Sequence, residues 1–283
     1  MSEKPGNGHL EGRVVVVTGA GGGFGKLISE MVAARGAKVV IGDIDGAAAE
    51  ATAGELQASG AEAAHLVVDV RELDQVQALA ALAVERFGAL DVMVNNAGIM
   101  PLAFIADHAQ AKDAWDRCID INFRGVLNGI CAVHDQMVGQ GRGHVVNIGS
   151  IYGNAGTAGS GVYSATKAAV AVLSDSLRKE SQGRIKVTVV RPTGVLGTNL
   201  ASGVVNPAAA IGIVGQHEQE YMEKVMAFIT GTLEGPPADV DEPAYWAIDP
   251  TYVASEVVHA IDQPWGISIS DVTIRATGEL FVI

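Results

Sequence analysis

Tyr163 and Lys167 are the residues of this sequence best placed to move a proton. They stand four positions apart in Tyr163-Ser164-Ala165-Thr166-Lys167, and on a helix such a pair shares one face. An ammonium about 4 Å from a phenol, at an effective dielectric near 20, is worth roughly 4 kcal/mol. That predicts a tyrosine pKa drawn down from about 10 towards neutrality. A phenol so tuned exchanges a proton with a carbinol or carbonyl oxygen as a hydride leaves or arrives. The pattern alone is common and usually means nothing. Its surroundings add to it. Ser150 closes the run His144-Val145-Val146-Asn147-Ile148-Gly149-Ser150, and a hydroxyl at the carboxyl end of a strand faces the crevice where open α/β sheets bind ligands. Asn122, in Ile121-Asn122-Phe123-Arg124-Gly125, interrupts an apolar helical stretch, which by itself reads as a local kink or a buried hydrogen bond. The competitors are weaker: Tyr152 has Gly156 at i+4, and Ser160 and Ser164 do not end a strand.

A second stretch suits a diphosphate. The first apolar run ends in Thr18-Gly19-Ala20-Gly21-Gly22-Gly23-Phe24-Gly25. A glycine-rich turn between strand and helix lets backbone approach phosphate closely, and the helix N-terminus adds free N–H groups and positive dipole. An ordinary glycine-rich turn is the alternative. A Walker A loop fails at Ala20, where it needs Gly, and at Leu27, where it needs a hydroxyl for magnesium. The strict G-x-G-x-x-G fingerprint fails in every register. Asp43 ends the second apolar run and is followed by Ile44. An acidic residue there accepts hydrogen bonds from the adenosine ribose hydroxyls and repels a 2′-phosphate. No Arg or Lys lies in 20–24 or directly after Asp43, and Lys26 falls within the first helical turn. The pattern therefore favours NAD over NADP, with a helix N-cap as the other reading of Asp43.

These residues need elements to hold them. Apolar runs at 14–18, 38–43, 65–69, 90–95, 144–150 and 186–191 read as strands, and 25–35, 47–59, 73–87, 111–138 and 162–182 carry helical spacing between them. The strands are continuously apolar, the mark of a parallel sheet covered on both faces. βα units in series predict an α/β fold with a doubly wound parallel sheet. The alternation fails over 192–250, a long insertion with one helical patch at 219–229. It resumes with a helix at 252–261 and a strand near 270–275. We read one domain over 1–283, with 193–250 as a lid.

Composition narrows the function. The 283 residues carry a formal net charge of −13, which repels phosphate backbones and argues against a nucleic-acid partner. Cys118 and Cys131 fall in one helical stretch, so no disulfide is expected and a reducing compartment fits. Residues 1–13 are polar and Gly-rich with no leader-like apolar region, and no long apolar run follows. The expectation is a soluble, cytoplasmic protein without a membrane partner. The seven histidines show no metal-ligand spacing, so no metal is expected.

From about residue 10 to about residue 275 the chain resembles the classical short-chain dehydrogenase/reductase family. The segments that carry the likeness are T-G-x-x-x-G-x-G from Thr18, Asp69-Val70, Asn95-Asn96-Ala97-Gly98, Asn122, Ser150 and Tyr163-x-x-x-Lys167, in the family's order. The resemblance implies a Rossmann fold and hydride transfer between NAD and a secondary alcohol or ketone. It implies that Tyr163 moves the proton, Lys167 lowers its pKa and binds the nicotinamide ribose, Ser150 orients the substrate oxygen, and Asn122 helps hold a relay water. It implies cofactor contacts from Gly19, Gly21, Gly22, Gly23, Phe24, Gly25, Asp43 and Ile44, from Asp69 and Val70 beside adenine, and from Asn96, Ala97 and Gly98 at the ribose. It also implies contacts near the nicotinamide from Tyr163, Lys167, Pro192, Gly194, Val195 and Thr198. Two departures stand out. The family usually reads Pro-Gly-x-Val-x-Thr after the sixth strand, but here Pro192 is followed by Thr193, and Thr198 comes one position late. The usual Asp-Gly-Gly near the last strand is replaced by Asp271-Val272-Thr273-Ile274-Arg275, which predicts different C-terminal packing.

The lid carries Tyr221, Met222, Val225, Met226, Phe228 and Ile229, a stripe that reads equally as core or as substrate pocket. It has few cations, Lys224 being the clearest, so an apolar or aromatic secondary alcohol fits better than a phosphorylated one. Extended relatives that act as epimerases or dehydratases need a larger C-terminal domain than the about 90 residues after Arg191. A catalytically silent NAD sensor or scaffold is the alternative from another class. Family likeness also implies a homo-oligomer, dimer or tetramer, paired through the helices at 111–138 and 162–182.

Overall fold

Valine fills the middle of the sheet. β1 (Val14–Thr18), β2 (Lys38–Asp43), β3 (Ala63–Val67), β4 (Val92–Asn95), β5 (Gly143–Ile148), β6 (Ile185–Pro192) and β7 (Asp271–Ile274) lie parallel in the order β3-β2-β1-β4-β5-β6-β7. These are from a computed structural model, which describes residues 8–283. The part of the polar N-terminal stretch in 1–7, where no leader is expected, lies outside the described residues. Branched side chains suit a pleated surface buried on both sides.

Successive valines of β1 point to opposite faces. Val15 and Val17, with Val39 and Ile41 of β2, pack against Ile28 and Val32 of α1 (Gly23–Ala33), against α2 (Gly46–Ala58), and against a helix from beyond the insertion. Val14 and Val16 pack on the other face. There they meet Leu79 of α3 (Leu73–Phe87), and that layer continues over two further helices. The first of those follows α4 (His108–Ile119) and is α5 (Gly125–Gln140); the second is α6 (Gly161–Glu180). The doubly wound Rossmann architecture expected from the apolar runs is the one observed.

The stretch expected as one helix over 111–138 is α4 and α5 joined by a π-helical turn, Asp120–Arg124, with Asn122 at its centre. A π turn is a rare local widening of a helix and a recognised cause of kinks. β3 begins two residues earlier than predicted; after Ala63 it alternates half-buried with exposed positions, as suits an edge strand with one wet side. β5 stops at Ile148, so Ser150 lies just beyond the strand.

The region after β6 holds more structure than one helical patch. Single 3-10 turns surround α7 (Ile211–Val214) and α8 (Glu218–Ile229), and α9 (Pro250–Ile261) then returns the chain to the sheet beside α1. Asp249 caps α9 by accepting from the Thr251 N–H at 2.8 Å, with Pro250 as its first residue. β7 is fixed at the edge by an ion pair between Asp271 and Arg191 at 2.8 Å.

Polar groups are few inside the sheet. Asn95 of β4 donates its amide to Asn147 of β5 at 2.8 Å, and Asn147 donates in turn to Ser174 of α6 at 2.8 Å. No helix among the described residues is long and apolar enough to cross a membrane.

Candidate active site

The strand order reverses at β1, between β2 and β4, and a crevice opens there beyond the carboxyl ends of the strands. Two cavities occupy it. One, of about 400 Å³, is lined by Gly19, Gly22, Gly23, Asp43, Asp69 and Ala97, together with Ile44 and Val70. The other, of about 260 Å³, is lined by Ser150, Tyr163, Lys167, Pro192, Gly194 and Val195. Phe24, Asn96, Gly98 and Thr198 line both, so the two form one continuous cleft.

The glycine-rich turn is built for close approach. Gly19 has φ +64°, and a Cβ there would lie 2.8 Å from the Cα of Ala97. A Cβ on Gly25 would overlap the Gly19 carbonyl and the Asn96 amide. A Cβ on Gly21 would lie 2.7 Å from Ala48 and 3.0 Å from Asp43. Gly22 and Gly23, by contrast, have nothing within 4 Å and face the open cleft. These two are the bare backbone a diphosphate needs, at the N-terminus of α1.

Thr18, which opens the glycine-rich motif, ties that turn to the loop after β4. Its hydroxyl accepts from the Asn96 N–H at 3.1 Å and the Ala97 N–H at 3.3 Å. Asn96 in return donates its side-chain amide to the carbonyls of Thr18 and Gly19 at 2.9 and 3.0 Å. Asp43 accepts from Gly21 N–H at 2.8 Å and Asp45 N–H at 3.0 Å. It is thus fixed at the rim of the wider cavity, with Ile44 exposed beside it. Lys26 is held by Glu55 at 2.6 Å. Asp69 lines the cavity, but its carboxylate is already paired with Arg71, whose guanidinium draws it below the ordinary carboxylate range. Arg71, missed by the sequence reading, is a cation at this end of the cleft. Val70 packs under Gly125, where a Cβ would lie 2.8 Å from it.

Ser150, Tyr163 and Lys167 come together at the other end, all nearly inaccessible. Ser150 Oγ accepts from the Tyr152 N–H at 3.2 Å and shares a hydrogen bond with the Tyr163 phenol. Lys167 Nζ donates to the Ile148 carbonyl at 2.8 Å and lies 5.8 Å from the centre of the Tyr163 ring. Asn122 joins through its neighbours. Its amide is spent on the Ile99 backbone, accepting from the N–H at 2.9 Å and donating to the carbonyl at 2.8 Å, with Cys118 and Thr166 beside it. A Cβ on Gly98 would sit 3.3 Å from Asn122 and 3.7 Å from Lys167 Nζ, so Asn122 is one small residue away from the pair.

The direction of the Tyr163 pKa differs from the one its spacing predicts. Burial pushes the phenol up, and the hydrogen bond with Ser150 offsets only part of this. The same burial lowers the Lys167 ammonium to about 8. Loss of water is the largest cause at both groups, since a buried phenol and a buried ammonium each favour the neutral form.

Besides Phe24 and Tyr163, the aromatic residues Tyr152, Tyr221, Trp246 and Phe281 wall the smaller cavity. Tyr152 meets Tyr163 edge to face at 5.5 Å, and Tyr221 lies 5.6 Å from Trp246 and 6.0 Å from Phe281. Of the apolar stripe in the insertion, only Tyr221 faces the cavity. Met222, Met226, Phe228 and Ile229 are exposed, and Val225 is half-buried. Lys224 is paired with Glu220 at 2.8 Å. The C-terminal residues Glu279, Leu280 and Phe281 also line the cavity, and no local pattern announced them. Thr198 reaches both cavities although it comes one position late. Val195 forms a parallel bridge with Ile248 in which the Gly194 carbonyl accepts from the Ile248 N–H at 3.1 Å. In that register the peptide groups of Val195 itself face away from Ile248. Both cysteines are free, and among the described residues no cluster of His, Cys, Asp and Glu could hold a metal ion.

A sequence model of the short chain dehydrogenases matches residues 13–208. An uncharacterized oxidoreductase of Listeria monocytogenes is 32% identical over 270 residues, 95% of this chain and 98% of that one. Among solved structures, a short chain dehydrogenase/reductase from Burkholderia phymatum in complex with NAD is 29% identical. Its TM-score is 0.73, over 93% of this chain and 89% of that one. A metagenomic short-chain oxidoreductase in complex with NADP is 26% identical. Its TM-score is 0.71, over 95% and 98% of the two chains.

Proposed function

The chain belongs to the short-chain dehydrogenase/reductase family, and we propose that it is an NAD-dependent alcohol dehydrogenase or ketone reductase in which Tyr163 moves the proton. The observation that carries this is the continuous cleft, with an acidic residue and bare glycines at one end and Ser150, Tyr163 and Lys167 at the other.

The residues present fit a dinucleotide. Gly22 and Gly23 offer unobstructed backbone at a helix N-terminus. Asp43 would take the adenosine ribose, with Ile44, Asp69 and Val70 around adenine and Asn96, Ala97 and Gly98 along the ribose. Pro192, Gly194, Val195 and Thr198 would face the nicotinamide. NAD, when bound, supplies the hydride acceptor.

The remaining work falls to the chain. In reduction the Tyr163 phenol gives its proton to the carbonyl oxygen; in oxidation its phenolate form takes the carbinol proton. Ser150 orients the substrate oxygen, and its hydroxyl is already fixed by the Tyr152 N–H and the phenol. Lys167 would bind the nicotinamide ribose while the Ile148 carbonyl anchors it. Asn122 would help hold a relay water, its amide being fixed by Ile99.

Preference for NAD rests on Asp43, and on Lys26 and Arg71 both being paired with carboxylates. An apolar or aromatic secondary alcohol is supported by the aromatic walls and by the charged lining of the smaller cavity, which among the described residues is Lys167 and Glu279 alone. Segment 193–250 is the lid. Assembly as a dimer or tetramer through α4–α5 and α6 is supported by the exposed Ile119 and Val172 on those helices; sedimentation of a stable monomer at micromolar concentration removes it. The central test is NAD reduction by a panel of secondary alcohols, run beside NADP. Binding of NAD without turnover on any alcohol or ketone would point instead to a silent sensor.

A further inference from the structure

We propose that Glu279, carried on the C-terminal tail, is a positioning residue for the backbone that receives the nicotinamide half of the cofactor. The proposal rests on the reading of 192–198 as the nicotinamide loop. After β7 the chain does not leave the surface of the sheet but turns back across the cleft. The Gly278 N–H donates to the Tyr245 carbonyl at 2.9 Å, and the Val282 N–H donates to the Ile213 carbonyl at 2.9 Å. Arg275 donates to the Ile283 carbonyl at 2.8 Å, which closes the tail on itself. The tail thus joins α7, the segment before α9 and the loop after β6.

Its contact with that loop is the specific one. Glu279 is nearly buried, and its two oxygens are divided: one accepts from the Thr193 hydroxyl, the other from Arg275. Thr193 is itself buried. It occupies the position where the resemblance leads one to expect Gly, which has no hydroxyl to hold. The departure at Thr193 and the carboxylate at Glu279 therefore form one device. A hydroxyl donating to an ionised acceptor is stronger than a neutral pair, and losing one partner leaves the other buried without it. Immediately after Thr193, the Phe281 ring lies against Gly194, where a Cβ would be 2.9 Å from it. Gly194 in turn receives Ile248 and sets the direction of the Val195 peptide groups. Glu279 fixes Thr193, and Thr193 with Phe281 fixes Gly194 and Val195.

The full chain is titrated with NADH and, separately, with ADP-ribose, which lacks nicotinamide, and thermal midpoints are recorded in parallel. Glu279→Ala and Thr193→Val are each expected to weaken NADH about tenfold, equivalent to about 1.4 kcal/mol, while ADP-ribose stays within about twofold. Glu279→Gln keeps an acceptor for Thr193 and should recover most of the NADH affinity, which also covers a failure of the Ala variant to fold. The double variant should be no worse than the worse single one, as expected for two ends of one contact. Variants that lose thermal stability while the NADH to ADP-ribose ratio stays unchanged overturn the proposal. A parent protein that binds neither ligand overturns the dinucleotide reading itself.

Discussion

The Lys167 ammonium donates to the carbonyl of Ile148 and lies 5.8 Å from the Tyr163 ring, both side chains sealed from water. Burial lowers the Lys167 pKa to about 8, against about 10.4 for an exposed lysine. Between those values the unfolded chain holds a proton that the folded chain has released, so the Lys167 contribution makes the fold more stable as pH rises through that window. Tyr163, pushed up by burial, acts in the opposite sense only above about 10. Lys167→Met removes the lysine contribution. Denaturant titrations from pH 7 to 10 should find the variant the more stable at pH 7 and the difference shrinking towards pH 10. A difference flat across that range would show that Lys167 titrates alike in both states.

Tyr163→Phe removes one oxygen and keeps a ring to pack against Tyr152. Folding and NAD binding should survive. Turnover should fall by about 10²–10⁴-fold, the usual contribution of a general acid or base. Near-normal turnover in the Phe protein would mean that the proton travels by another route.

Asp43→Asn is a sharper test of cofactor choice than Ala. The amide oxygen can still accept from the Gly21 N–H, so that contact should hold while the negative charge and the bond from the Asp45 N–H go. Measured kcat/KM should favour NAD strongly in the parent protein, and the gap to NADP should narrow in the variant. Equal values for both cofactors in the parent would defeat the assignment.

Gly22→Ala and Gly25→Ala should separate binding from folding. An added Cβ at Gly22 meets nothing within 4 Å, so the melting temperature should hardly move while NAD affinity falls. At Gly25 the same methyl group meets backbone and the Asn96 amide, so the fold itself should lose stability. Equal melting temperatures in the two variants would contradict the packing described.

How far the sequence is legible depends on the range of the forces involved. Val14–Thr18 and Lys38–Asp43 are read to the residue because a parallel strand covered on both faces is apolar through its buried middle. The placing of Tyr163 and Lys167 on one face of α6 is legible because i and i+4 share a helix face in any context. The pKa of Tyr163 is not, since it depends on water excluded by Tyr152, Leu102 and Cys118, which arrive from other elements. The pairing of Asp69 with Arg71 is local and legible in principle, but the family resemblance gives Asp69 a ligand role first. Glu279 was beyond reach, because its partner Thr193 stands 86 positions away. Met222, Met226, Phe228 and Ile229 mislead because helical periodicity reports an apolar stripe without saying what covers it.

The amide of Asn95 faces that of Asn147 across β4 and β5, in register with it and sealed from solvent. Valines on either side would tolerate many alignments, but these two amides tolerate one. A slip by a single residue would turn them to opposite faces and break the bond between them, leaving the Asn95 amide without its partner at about 1–3 kcal/mol. The pair therefore acts as a key against mispairing while the chain folds. The two central strands whose ends carry Asn96 and Ser150 can close in one alignment only, and the spacing between the two halves of the cleft is settled before any ligand arrives.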